Sequence, residues 1–259
     1  MSDMSEGISF MMRVRNEEAT LERSIRSLSS LTIPHEIVIV LHCCTDRSEE
    51  IAMRLQAENP EQIKVYSYTT EISRAGYELL ATDAASPHSF CEYSNWCLAK
   101  CMRPWVFKWD GDFIATPELI TYLNTGTWTP RVERHYFAAC NSTSANKEPY
   151  LHGGLTKYTK FVFWEVPNTS SNPVDIHTGI SLVHDSELSS VKNYWYNEPW
   201  YNKEDSDEAR QVRDRIKVLT DLFGPEPPGF ARGSNDSELM YRSFTSIRTA
   251  WPPGIDPYN

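Results

Sequence analysis

The sequence has no apolar run approaching the roughly 18 residues of a membrane-spanning helix. Its first residues, MSDMSEG, lack the basic start and apolar middle of a secretory signal. A cytoplasmic protein is therefore expected. Its six cysteines (Cys43, Cys44, Cys91, Cys97, Cys101, Cys140) include no CxxC pair, which argues for free structural thiols over metal ligands or disulfides. Basic residues are in deficit, 25 Lys and Arg against 35 Asp and Glu, for a formal charge of -10. That balance excludes nucleic acid and anionic membrane as principal partners, while a local basic pocket is still allowed. Without a signal, the sequons Asn141-Ser142-Thr143 and Asn168-Thr169-Ser170 read as chance. Repeats and low-complexity tracts are also missing.

What is present suffices for a globular core: 259 residues, 40% of them hydrophobic. GISFMMRV is an apolar run of strand formers, and the Ala19, Leu21, Ile25, Leu28 spacing after it predicts a helix. HEIVIVL reads as a strand covered on both faces, followed by a helix that Thr45-Asp46 can cap and Glu49-Glu50 favour. QIKVYSY is a third strand, and SNWCLAKC a helix leading into the strand PWVFKW. Strands alternating with helices predict a parallel α/β sheet with right-handed crossovers. Beyond it, TPELITYL and DSDEARQVRDRIKVLTDLF are predicted helices separated by mixed strands and loops, and the tail from GPEPPGF is turn-rich. One domain over residues 1–259 is expected, with a half near 7–120 and a looser half over 121–259.

Such sheets take ligands at the carboxyl ends of their strands. Asp110 and Asp112 follow the last strand of the first half in FKWDGDFI, and Arg13, Arg15, Glu17 and the residues around His42 follow the first two. Asp-Gly is a common turn dipeptide. Two carboxylates at a sheet mouth are equally the donor set of a hard divalent cation and, through it, of a phosphate.

In order and spacing, the strand into RVRNEEATLERSIRSL, then EIVIVLHCCTDRSEEIA, then SNWCLAKCMRPWVFKWDGDFI resembles the family 2 glycosyltransferases with the GT-A fold. The likeness covers about the first 120 residues and fades afterwards. It implies a Rossmann-like, mostly parallel sheet flanked by helices, with an irregular acceptor-side second half. It also implies transfer of a sugar from a nucleotide sugar, most often a UDP sugar, to a glycan-type acceptor, with Mn2+ or Mg2+ on the diphosphate. In the D-x-D motif Asp112 would be a metal ligand, and Asp110 would reach the ribose or a metal-bound water. Arg13, Arg15 and Glu17 would meet the nucleotide, and Arg74 and Asn95 the diphosphate side. The family usually ends the second strand on an acid that reads the base; Leu41 and His42 stand there instead, which loosens the expectation of uracil.

An inverting transferase needs a carboxylate to take the acceptor proton. The segments YTKFVFWEVP and VDIHTGISLVHD offer Glu165, Asp175, His177, His184 and Asp185. This part resembles a subset of the family with an aromatic strand, a glutamate and then a histidine, which implies Glu165 as the favoured base, Asp175 as the alternative and His184 as a candidate third metal ligand. Asp46 is expected to cap its helix rather than to touch substrate. A nucleotidyltransferase would also pair acids on such a sheet, but it calls for a glycine-rich loop after the first strand and RVRNEEATLE has no glycine. A non-catalytic sugar-nucleotide or glycan-binding module on the same fold is the other alternative.

Overall fold

The computed structural model describes residues 7–125, except 75, 84 and 104, the backbone of three strands between 134 and 184, and residues 198–225. It is a mixed α/β protein. β1 (Ile8–Val14), β2 (His35–His42), β3 (Ile63–Tyr68) and β4 (Trp105–Trp109) are parallel neighbours in the order β3-β2-β1-β4. Every residue of β2 is buried, as its unbroken apolar sequence requires when both faces are covered. β5 (Phe113–Ile114), β6 (Arg134–Asn141), β7 (Tyr150–Lys157) and β8 (Asp175–His184) extend this to eight strands, in the order β4-β7-β6-β8-β5. β7 runs antiparallel to β4 and β6, β6 parallel to β8, and β5 antiparallel to β8.

The crossover helices are α1 (Leu21–Arg26) and α2 (Ser48–Glu58). The helix expected from Ala19 to Leu28 is α-helical only over α1. Its last turns close with shorter bonds, such as Leu28 N–H to the Ile25 carbonyl (3.1 Å) and Leu31 N–H to the Leu28 carbonyl (3.1 Å). That tightening still buries Leu21, Ile25, Leu28 and Leu31 in the core with Phe10, Ile39, Phe107 and Trp109. α3 (Tyr77–Ala81) lies in the connection after β3, and α4 (Phe90–Leu98) begins before the SNWCLAKC segment. α5 (Pro117–Asn124) starts as its sequence predicts: the Thr116 hydroxyl accepts from the Leu119 N–H at 3.2 Å and Pro117 takes the first position. α6 (Trp200–Lys203) and α7 (Asp207–Phe223) follow the strands, and Ser206 caps α7 through the Ala209 N–H at 3.1 Å.

The chain divides by contacts into two compact units rather than in sequence order. One comprises Met1–Thr69, Cys97–Phe161 and Ser171–Tyr194; the other comprises Thr70–Trp96, Val162–Ser170 and Trp195–Asn259. The first holds the sheet. The second has its own apolar cluster, in which Tyr77, Leu79, Leu80 and Ala81 of α3 pack with Trp200, Ala209, Val212 and Leu219. His88 stacks on Trp200 there, with ring centroids 3.6 Å apart, and the Trp200 ring N–H donates to Ser73 Oγ at 2.9 Å. Among the described residues no helix is long and apolar enough to cross a membrane.

One buried serine ties α1 to the end of β4. Ser24 Oγ accepts from the Trp109 ring N–H at 2.9 Å and donates to the Asp110 carbonyl at 3.2 Å. Ser24 and Trp109 are fully buried, so Ser24→Ala strands an indole N–H without water. The expected cost is about 1–3 kcal/mol, read as a lower denaturant midpoint with an unchanged slope. A variant as stable as the wild type would show that this link does not hold the loop.

Candidate functional site

β1 lies between β2 on one side and β4 on the other. Crossovers therefore diverge at β1 and β4, and the carboxyl ends of these strands open the crevice in which α/β sheets take ligands. Two loops meet there, residues 15–20 after β1 and residues 110–112 after β4. A Cβ at Gly111 would lie 3.0 Å from Glu17 Cγ and 3.3 Å from Glu17 Cβ, so any other residue there would press the Glu17 side chain back by a few tenths of an ångström. The Phe113 N–H donates to the Asp110 carbonyl at 3.1 Å, closing a turn. The Asp-Gly turn and the paired acids are thus one feature.

The first loop is held by the loop after β2. Asn16 takes the left-handed conformation, with φ at 57°, and its Oδ1 accepts from the Thr45 N–H at 2.7 Å. Short polar side chains tolerate that backbone best. The Glu17 N–H donates to Ser48 Oγ at 2.7 Å, and the Glu18 N–H to Asp46 Oδ2 at 2.9 Å. Asp46 Oδ1 also accepts from the Ser48 N–H at 2.9 Å, so Asp46 organises the start of α2. Glu17 is thereby pinned against Gly111 from the backbone side.

Asp112 is buried, with 5% of its surface exposed. Burial pushes the Glu17 carboxyl up from the usual 4.5 to about 8; the nearby Asp112 charge adds to this, Asp110 and Asp46 contribute less, and a hydrogen bond from Thr20 opposes it. The Thr20 hydroxyl donates to Glu17 Oε2 at 3.0 Å. Asp110 is more open, and its Oδ2 accepts from Lys108 Nζ at 2.8 Å. Oxygen donors crowded by like charge in a partly dry corner fit a hard divalent cation.

The remaining expected site residues fall as follows. Arg13 lies within β1, in register with Val40. Arg15 is buried beside His42, with Nη1 3.5 Å from His42 Nδ1. Leu41 and His42 close β2 and are both buried. Arg74 and Asn95 belong to the second unit. There Arg74 pairs with the buried Glu78, its backbone N–H and Nε donating at 2.9 and 2.7 Å, and Asn95 is half-buried on α4. Asp175 opens β8 and His184 closes it. His184 is in register with Phe113, the residue after Asp112. Asp175 is in register with Arg134, up to about 30 Å away along an extended strand, so the two do not share that corner. Glu165 lies outside the described residues. Lys108 is the group that sequence reasoning passed over, although its i, i+2 spacing from Asp110 on a strand was a signal for it.

No family model matches the chain and no curated protein matches it. Solved structures do resemble it. A mannosyltransferase from Pyrobaculum calidifontis in complex with GDP-Man and Mn2+ is 12% identical with a TM-score of 0.49, covering 95% of this chain and 76% of that one. S. aureus TarS 1-349 in complex with UDP is 17% identical with a TM-score of 0.34, covering 54% of this chain and 36% of that one. Glucosyl-3-phosphoglycerate synthase from Mycobacterium tuberculosis, in complex with Mn2+, UDP and phosphoglyceric acid, is 20% identical with a TM-score of 0.35, covering 54% and 44%. The chain thus spans less than half the length of two of these three. With TM-scores below 0.5, the likeness assigns neither activity nor donor.

The Glu17 carboxyl carries a pH signature. Below pH 4.5 the folded and unfolded chains both hold its proton and no penalty exists. As pH rises past 4.5 the unfolded chain releases the proton while the folded chain keeps it until about 8, so stability falls across that window. In metal-free buffer Glu17→Gln is expected to gain on the wild type between pH 5 and 8.5, by roughly a few kcal/mol at most. Parallel stability profiles from chemical denaturation would contradict the buried, like-charged Glu17.

Proposed function

We propose that this chain is a metal-dependent glycosyltransferase of the GT-A type. It moves a sugar from a nucleotide-diphosphate sugar, a UDP sugar foremost, to a glycan, lipid or protein-linked acceptor with inversion. The observation that carries this reading is the meeting of Glu17, Gly111 and the flanking Asp110 and Asp112 at the switch point between β1 and β4. A nucleotide diphosphate is a leaving group whose charge grows as the sugar departs, and a corner of carboxylates serves it only through a cation.

When bound, Mn2+ or Mg2+ supplies Lewis acidity at the diphosphate oxygens. Asp112 would hold the ion, with Asp110 reaching the ribose or a water of the ion, and His184 would be a third ligand; its register beside Phe113 is consistent with that. Arg13, Arg15 and Glu17 line the nucleotide side. Gly111 admits close approach of ligand to backbone. Glu165 takes the acceptor hydroxyl proton as that oxygen attacks the anomeric carbon; the placement of Asp175 at the far end of β8 favours Glu165 over it.

A panel of nucleotide sugars, each with and without Mn2+, tests the class by thermal stabilisation and hydrolysis. A donor at 100 times its dissociation constant adds about 2.7 kcal/mol. Asp112→Ala is expected to abolish Mn2+-dependent UDP binding, and Glu165→Gln to keep binding while losing on the order of a hundredfold or more in turnover. Full turnover by Glu165→Gln would move the base elsewhere. Metal-independent binding of free glycans without turnover would make the chain a binding module instead.

A further inference from the structure

The β4 loop brings one cation directly onto the acids. Lys108 Nζ sits 2.8 Å from Asp110 Oδ2, with the two side chains 29% and 32% exposed. Strand alternation puts Lys108 and Asp110 on the side opposite Phe107 and Trp109, which are fully buried in the core. The β4 pairing with β7 ends at Phe107, while Lys108 is still paired with Met11 of β1. An ion pair between residues two apart at a strand end closes no loop and joins no elements, so it adds little to stability. Its physical effect is on the charge of the corner, where Asp112, Asp110 and Asp46 each act on the Glu17 carboxyl.

We propose that Lys108 is a positioning residue of the metal corner: an internal cation that occupies Asp110 in the metal-free chain and competes with free divalent ion for it. The inference rests on the metal-site reading above. Its consequence is a division of labour within the D-x-D motif. Asp112, buried and not engaged by Lys108, makes the direct ligand, while Asp110 Oδ2 is held by an ammonium. Bare cation then binds weakly, and an incoming diphosphate supplies the negative charge that Lys108 has offset, which couples metal uptake to donor uptake.

The test is titration of MnCl2 alone, and again with UDP, into the metal-stripped full chain, in the wild type, Lys108→Met, Asp110→Asn and the double variant, with melting curves to confirm folding. Releasing Asp110 Oδ2 from the ammonium is expected to tighten bare Mn2+ binding roughly tenfold at low salt, and the gain should shrink as KCl screens it. UDP should narrow the difference between wild type and Lys108→Met. In the Asp110→Asn background the same substitution is expected to change affinity by about twofold or less, because the pair is already broken. Unchanged or weaker Mn2+ binding in Lys108→Met overturns the proposal, as does an equal gain in the Asp110→Asn background, which would reflect net charge alone. Absence of Mn2+ binding by every variant, with and without UDP, overturns the metal site and this role with it.

Discussion

The close approach of the β1 loop to the β4 loop, with Glu17 Cγ 3.0 Å from where a Cβ at residue 111 would lie, is the constraint on which the candidate site depends. It brings carboxylates from two strands into a corner too dry to solvate all of them as anions, and the raised Glu17 titration is the direct result. Several small devices serve this one contact. Asn16 adopts a backbone few residues tolerate, Ser48 and Asp46 take the N–H groups of the loop, and Ser24 fastens the Asp110 carbonyl to α1. None of these groups needs to touch a ligand to matter. Together they hold repelling charges where solvent alone would let them part.

Acidic residues elsewhere in the same unit are treated in the opposite way. On the exposed faces of α1 and α2, Glu22 and Glu58 alternate with Arg26 and Arg54 in a closed set of four ion pairs between 2.7 and 3.2 Å. The two arginines hold the Glu22 carboxyl well down, at about 2. The helices thus neutralise their acids where water is plentiful, while in the crevice the Glu17 carboxyl faces the like charges of Asp112, Asp110 and Asp46.

Legibility in the sequence followed the local character of each feature. β1 to β4, α5 and α7 were readable because continuous apolar runs, 3.6-residue spacing and capping residues act within a few positions. The D-x-D acids were readable because they directly follow a strand whose end faces the crevice. Less legible was α3, whose five residues are too few for a 3.6-residue pattern to show; its Tyr77, Leu79 and Leu80 are buried against α7 and Trp200. The candidates beyond residue 125 were the hardest to separate. Asp175 and His184 look like neighbours along the chain, yet a ten-residue strand sets them at opposite ends.

Alternating strands and helices, the acids after the fourth strand, and the absence of a glycine loop were determined by the amino-acid sequence alone, because each depends on neighbours a few residues apart. Which acids crowd together, and that Glu17 lies against Gly111, were decided only by tertiary structure. The physical reason is that like-charge repulsion and close backbone approach are distance effects between segments separated by about ninety residues in the chain, and no local pattern encodes a distance of that kind.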